Sequence, residues 1–505
     1  MPPVRRPPVR LRSYILAFGL TALFLILAHG PLLLLPFYWD EAGQFIPASL
    51  DLYRAGAWIP VSTLPNVHPP GVMAYLAAWW SIFGYSIAAT RIAMLSIAAL
   101  GALFTFLLGI ELSRGATGTP AFAALVLLCL SPLFFAQSML AQLDMPAMCL
   151  SVLALLLFLQ NRFRASAIAC TVLVLVKETG VVVPALFGCW LLFERRPWQE
   201  GKGNERSHAL WFLLPLPGLL IWLAALQHAT GHWFGNPAFT AYNVWKPLHP
   251  ARFSIALVRR FYYLFIGSGH FIGTAALLWA LRRMPLLWSR PWRIAASFIL
   301  AQALVVSALG GAVLERYLLP ALPVVYIAFT VSLGALLPRA RQLTFGALLI
   351  CLIAANFVNP LYPFPFENNL SFVSFVELEK IAASSVEARD TLSRNGLVAT
   401  AFPMAEALRN PDLGFVGTPR RVLAIADFTA PEIEKLKLQP PDMAVVFART
   451  WDPLHFLQRR FVESFLASQY GYRPEMDADA IAVELSMRVA HRWTRRGLSF
   501  TLLTR

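Results

Sequence analysis

Charge is what this 505-residue chain has least of. Asp, Glu, Lys and Arg make up 14% of it, against 58% hydrophobic residues. So little charge cannot clothe a water-soluble protein of this size, and the composition is that of a polytopic membrane protein. Acids are the scarcest. Residues 1–360 hold 10 Asp and Glu against 25 Lys and Arg, whereas residues 361–505 hold 17 of each kind. The net charge of +15 therefore sits in the loops of the apolar part, where it sets topology, and no nucleic-acid partner is expected. Cysteine is nearly absent. Cys129, Cys149, Cys170, Cys189 and Cys351 all lie in apolar runs, no two at metal-ligand spacing. That excludes a disulfide framework or cysteine metal site, and the five read as small buried hydrophobes. No internal repeat is visible.

What is there is a series of apolar runs. Candidate spans are 14–36, 86–112, 119–137, 146–160, 165–177, 180–193, 209–227, 261–281, 294–310, 318–337 and 343–359. The three from 146 to 193 fall short of the about 20 residues a bilayer needs, and are expected to extend into their flanks. Ala28-His29-Gly30 resembles a cleavage site, but the apolar run continues to Pro36. An uncleaved first helix with a cytoplasmic N-terminus is expected. Alternating eleven spans from there puts 17 cations on one side: Arg5, Arg6, Arg10, Arg12, Arg114, Arg162, Arg164, Arg195, Arg196, Lys202, Arg206, Arg282, Arg283, Arg290, Arg293, Arg339 and Arg341. The other side receives seven, as the positive-inside rule requires. The tail then lies outside the cytoplasm, together with Asp40, Glu41, Asp51, His68, Asp144, Lys177, Glu178, Glu315 and Arg316.

In the first outer loop, 44–58 and 71–83 read as helices lying along the membrane surface. Residues 228–260, rich in aromatics, suit a cover over a cavity. The tail opens on Tyr362-Pro363-Phe364-Pro365-Phe366, a stiff connector. Beyond it, 396–402, 420–426, 442–448 and 499–504 read as strands, and 372–392, 429–438 and 453–469 as helices. The fold class is an all-α polytopic membrane domain (residues 1–360) of about 11 transmembrane helices plus juxtamembrane helices in the first outer loop. A small soluble α/β domain (residues 361–505) follows.

Five polar constellations meet at the outer face. Asp40-Glu41 is either a solvated pair at a helix start or a general base near a low-dielectric boundary. Asp144-Met145-Pro146 is either helix-start chemistry or a second carboxylate brought beside Asp40, where the pair would hold a proton more tightly. Lys177-Glu178 is a snorkelling ion pair or a cation aimed at a phosphate, with Glu178 in the same binding set. Glu315-Arg316-Tyr317 is an interface anchor or a guanidinium for phosphate capture. His68-Pro69-Pro70-Gly71 is a rigid turn or a histidine near a leaving phosphate. Arg259-Arg260 read as interface cations, and Arg91 as a charge that snorkels from the outer end of its helix.

In order and spacing these motifs resemble the membrane glycosyltransferases of the GT-C fold, in the branch of protein O-mannosyltransferases and bacterial aminoarabinose transferases. The matching positions are Asp40-Glu41, His68-Pro69-Pro70, Asp144-x-Pro146, Lys177 and Arg316-Tyr317-x-x-Pro320, over roughly residues 10–340. The aminoarabinose transferases carry Lys where this chain has His68, and Val67 stands where an acidic metal ligand would be.

The resemblance implies a hexosyl- or pentosyltransferase that uses a polyprenyl-phosphate sugar donor and a lipid, glycan or protein acceptor, with inversion. Asp40, Glu41 and Asp144 would form the catalytic set, with Asp40 as base. His68, Lys177, Glu178, Arg316 and Tyr317 would bind substrate. No cofactor is named with certainty, and a divalent metal is left open. The chain would be a multi-pass protein of the bacterial inner membrane, in contact with membrane lipids. A transporter or flippase of lipid-linked sugars is the alternative. It would need charged groups at mid-membrane and commonly repeated halves, and the spans hold almost none of the first and no visible second. A binding protein that keeps the fold without chemistry is a third reading.

Overall fold

The computed structural model describes residues 11–113, 119–194, 205–393 and 396–505. Of the topology cations, Arg5, Arg6, Arg10, Arg114, Arg195, Arg196 and Lys202 lie outside the described residues.

Helices fill the chain to Ala355. Four described segments are long and apolar enough to cross a membrane by length and composition: Ile87–Leu112, Ser207–Thr230, Pro250–Leu281 and Arg290–Ala308. The three short candidates stay short, as Asp144–Leu159, Phe163–Val176 and Val182–Phe193. Large apolar side chains such as Phe193, Ile221, Leu343 and Ile350 stand exposed around the bundle. Hydrocarbon, not water, is the solvent that suits them.

Two spans depart from expectation for local reasons. The run 119–137 breaks into Thr119–Leu130 and Pro132–Gln137, because Pro132 cannot continue the hydrogen-bond ladder. The span expected at 261–281 starts at Pro250. Arg252, Arg259 and Arg260 had masked its first turns in the apolar pattern, but the helix turns Arg252 and Arg260 into the protein, where both are buried. It kinks at Gly267–Gly269, where Ser268 and Gly269 take positive φ. A side chain on Gly269 would collide with Cys351 at 2.3 Å.

The loop after the first helix is built as two helices. A π-type turn, Glu41–Phe45, flows into Ile46–Ala55, and Gly71–Phe83 follows the Pro69-Pro70 turn. Gly71 packs against the end of the Phe163–Val176 helix so closely that a Cβ would sit 2.4 Å from the Leu175 carbonyl oxygen. The Pro-Pro-Gly turn thus brings His68 beside Glu178, two residues past that helix.

The tail forms a five-stranded sheet: β1 (Val398–Ala401), β2 (Val422–Ile425), β3 (Met443–Phe447), β4 (Arg488–Arg495) and β5 (Leu498–Thr504), in the order β2-β1-β3-β5-β4. The first three are parallel, while β5 runs antiparallel to both β3 and β4. The long helix Ser371–Ser393 packs on the sheet, with Phe375 against Phe447 and Phe500. Strand β4 reads Arg-Val-Ala-His-Arg-Trp-Thr-Arg and lies on an exposed edge, so no apolar run announces it.

The sheet region sits on that first loop. Tyr85 donates to the Asp412 carbonyl at 2.6 Å, Arg54 makes a two-pronged pair with Asp412, and Trp39 packs edge-on against Phe402.

Candidate active site

A cavity of 850 Å³ opens where the helical part, the connector and the sheet region meet. Asp40, His68, Asp144, Lys177, Glu178, Arg316 and Tyr317 all line it. Asp40 and Arg316, 276 positions apart, are thus gathered at one place.

Local backbone explains how each side chain gets there. Trp39 has φ +47°, an uncommon state for a bulky residue, held by its ring contacts with Phe375 and Phe402. The turn at Trp39 starts the helical segment at Asp40 and sends the two carboxylates to different surroundings. Asp40 is one-third exposed and ion-paired to Arg316 Nη2. Glu41 is fully buried and paired with Arg91, and it is not among the cavity-lining residues. Its Oε1 accepts from the Ala141 amide at 2.6 Å and its Oε2 from the Tyr38 amide at 2.9 Å. Arg91 does not snorkel: it donates to the carbonyls of Leu35, Pro36 and Met139. Glu41, expected with Asp40 in the catalytic set, is placed here as a staple between two loops.

Asp144 opens its helix but caps nothing; Leu143 holds the cap position. The carboxylate instead pairs with Lys177 Nζ, and its Oδ2 lies 3.2 Å from Arg316 Nε. Lys177 is extended (φ −151°, ψ 119°) at the break between two helices, which swings its side chain inward. Its Nζ sits 4.4 Å from the centre of the Tyr317 ring, a cation–π contact. His68 Nδ1 and Glu178 Oε2 are 2.8 Å apart.

Arg316 is the hub. It is 4% exposed and meets Asp40, Asp144, Gln142 (2.7 Å) and Glu367 (2.9 Å). The last two were not anticipated. Glu367 ends the Pro363-Phe364-Pro365-Phe366 connector, where the sequence reads as a stiff spacer; an acid at the foot of such a run was the available signal. Burial pushes the Glu367 carboxyl up to about 7, with Arg316 pulling against that and Asp40 adding to it.

The cation-rich end expected of this cavity is already compensated. Arg259 pairs with Glu315 at 2.7 Å, and Arg449, contributed by the sheet region, lies 3.4 Å from Glu475. Among the described residues no group of three or more His, Cys, Asp or Glu side chains is arranged to hold a metal ion. Phe234, Phe239, Tyr242 and Asn243, from the segment expected to cover a cavity, form part of the wall. So do Pro363, Phe364 and Leu457 beyond the last membrane helix.

No family model and no curated protein sequence matches the chain. Solved structures do. The chain is similar to ArnT from Cupriavidus metallidurans bound to undecaprenyl phosphate, with a TM-score of 0.59 at 15% identity over 98% of both chains. It is similar to the apo state of that protein at a TM-score of 0.58 and 15% identity, over 97% of this chain and 98% of that one. The archaeal oligosaccharyltransferase AglB from Archaeoglobus fulgidus aligns at 0.48 and 12% identity, over 86% of this chain and 69% of that one. The shared fold is an apolar helical membrane domain followed by a small α/β domain.

Proposed function

We propose that this protein transfers a sugar from a polyprenyl-phosphate donor to an acceptor hydroxyl at the outer face of the membrane. The observation that carries this reading is the single cavity that joins a partly exposed carboxylate, Asp40, to Lys177 and Arg316 at the edge of a lipid-facing bundle. The undecaprenyl phosphate bound to ArnT supports a donor of the same class here.

In this reading the acceptor oxygen attacks the anomeric carbon and its proton passes to Asp40. The bond from that carbon to the phosphate oxygen breaks, and Lys177 and Arg316 stabilise the charge that develops on the leaving phosphate. Asp144 touches both cations and holds them in place. His68, fixed by Glu178, lies at the same wall. A single base with no covalent nucleophile gives inversion. Residues 1–360 would supply the donor site and residues 361–505 the acceptor side, through Arg449 and Leu457. The loop charges favour a cytoplasmic N-terminus, and a bacterial inner membrane fits the likeness to ArnT.

The test is sugar transfer by the purified protein in liposomes containing a labelled polyprenyl-phosphate sugar, with Asp40→Asn alongside. Transfer by the wild type and its collapse in the variant is the expected result. Unchanged transfer in the variant would remove Asp40 as base. Movement of the lipid across the bilayer with no transfer would make the protein a flippase instead.

A further inference from the structure

We propose that Glu367 is a positioning residue that takes up one proton when a phosphate anion binds beside Arg316, so that donor binding is proton-linked. The inference rests on the glycosyl-transfer reading above and adds to it a regulation of the same site.

The geometry poses a charge problem. Asp40, Asp144 and Glu367 converge on one guanidinium, and Lys177 adds a second cation through Asp144. With all three carboxylates ionised, this buried cluster carries one negative charge in excess before any donor arrives. A phosphate adds more negative charge where water screens it poorly. A proton on one carboxylate relieves the conflict.

The three are not equivalent. Asp40 must stay ionised to accept the acceptor's proton. Asp144 binds two cations. Glu367 is 3% exposed and has Arg316 as its one cationic partner among the described residues; its other side-chain contact is the Gln142 amide at 3.4 Å. The groups around it are Arg316 and Tyr317 on one turn, Asp40 and Tyr38 on the first loop, and Gln142 and Asp144 on a third segment. Lys177 lies beyond Asp144. Glu315 stands behind, tied to the neighbouring Asn368 at 2.8 Å and to Arg259. Burial already favours the proton on Glu367 near neutral pH, and both aspartates push the same way.

The step balances simply. One proton enters from water through the cavity, the Glu367 carboxylate becomes neutral, and its hold on Arg316 Nη1 slackens. That nitrogen then turns to a phosphate oxygen, and the only bond made is the carboxyl O–H, its proton given up by the buffer. The complex holds more protons than the free protein. Affinity is therefore full below about 7 and falls as pH rises above that, by up to about tenfold per unit.

Undecaprenyl phosphate, titrated calorimetrically into the full-length protein in buffers of different ionisation enthalpy, tests this. At pH 8.5 wild type should take up about one proton more than Glu367→Gln, and its affinity should fall by up to about fifteenfold more between pH 7 and pH 8.5. The Gln variant serves as the reference for the phosphate's own second ionisation. Equal proton uptake and parallel pH profiles would overturn the proposal. Should the Gln variant not fold, Glu367→Asp must move the pH midpoint, and an unmoved midpoint would overturn it equally. Wild type that binds no undecaprenyl phosphate at any pH removes the glycosyl-transfer reading itself, and this inference with it.

Discussion

Asp40 and Glu41 are neighbours in sequence and opposites in space. Asp40 faces a cavity, is one-third exposed, and shares Arg316 with two other carboxylates. Glu41 faces the interior, is fully buried, and has Arg91 and two backbone amides to itself. One pair is closed, with both carboxylate oxygens hydrogen-bonded; the other is open and over-supplied with negative charge. A closed pair fixes a structure, because removing either member strands a charge without water. An open pair has something left to exchange with a substrate. In the proposed mechanism one carboxylate serves architecture and its neighbour chemistry, and both follow directly on a single left-handed residue, Trp39.

Substitutions should pull the two apart. Asp40→Asn is expected to lower sugar transfer by about 10²–10⁴-fold while the protein still folds, read as initial rates in liposomes beside a thermal melt. Glu41→Gln should do the reverse. It strands Arg91 and destabilises by about 3–5 kcal/mol in chemical denaturation, while the surviving folded fraction turns over within a few-fold of wild type. The double change Glu41→Met with Arg91→Met should recover most of that loss. A third carboxylate sharpens the contrast from the sheet region. Glu379 is fully buried and neither oxygen has a hydrogen-bond partner, and burial raises its proton affinity well above that of an ordinary glutamate. A raised acid lends stability at low pH and loses it as pH rises. Glu379→Met should therefore stabilise by about 1 kcal/mol near neutrality, and by more at alkaline pH, in melts taken across the pH range. The smallest effect belongs to the exposed joint Arg54–Asp412. Arg54→Ala should cost about 0.5 kcal/mol or less and fade further in salt.

How much of this was legible beforehand follows the physics of each signal. Apolar runs and loop charge announce a membrane bundle because the bilayer imposes both. The motifs at Asp40, His68, Asp144, Lys177 and Arg316 fall at run boundaries, so their convergence on one face could be read. Glu367 could not. Its meaning lies in a contact with Arg316, 51 residues away, and the one local mark, an acid at the foot of a proline-aromatic run, does not name that partner. The burial of Arg91, Arg252 and Arg260 was hidden for a similar reason. A long cation next to an apolar run reads as an interface residue until its carboxylate, carbonyl or aromatic partner is in view. Strand β4 escaped because an exposed, charged edge carries no hydrophobic alternation.

The wall formed by Pro363 to Glu367 and by Arg449, Thr450 and Leu457 has a consequence for biogenesis. All the helices of the bundle precede it in the chain. A nascent protein released from the ribosome before residue 363 would carry Asp40, Asp144, Lys177 and Arg316 without the side of the cavity that encloses them, and Arg316 without its third carboxylate. The cavity is thus completed by the last third of translation, and a prematurely terminated chain would be inserted in the membrane with that cavity unfinished.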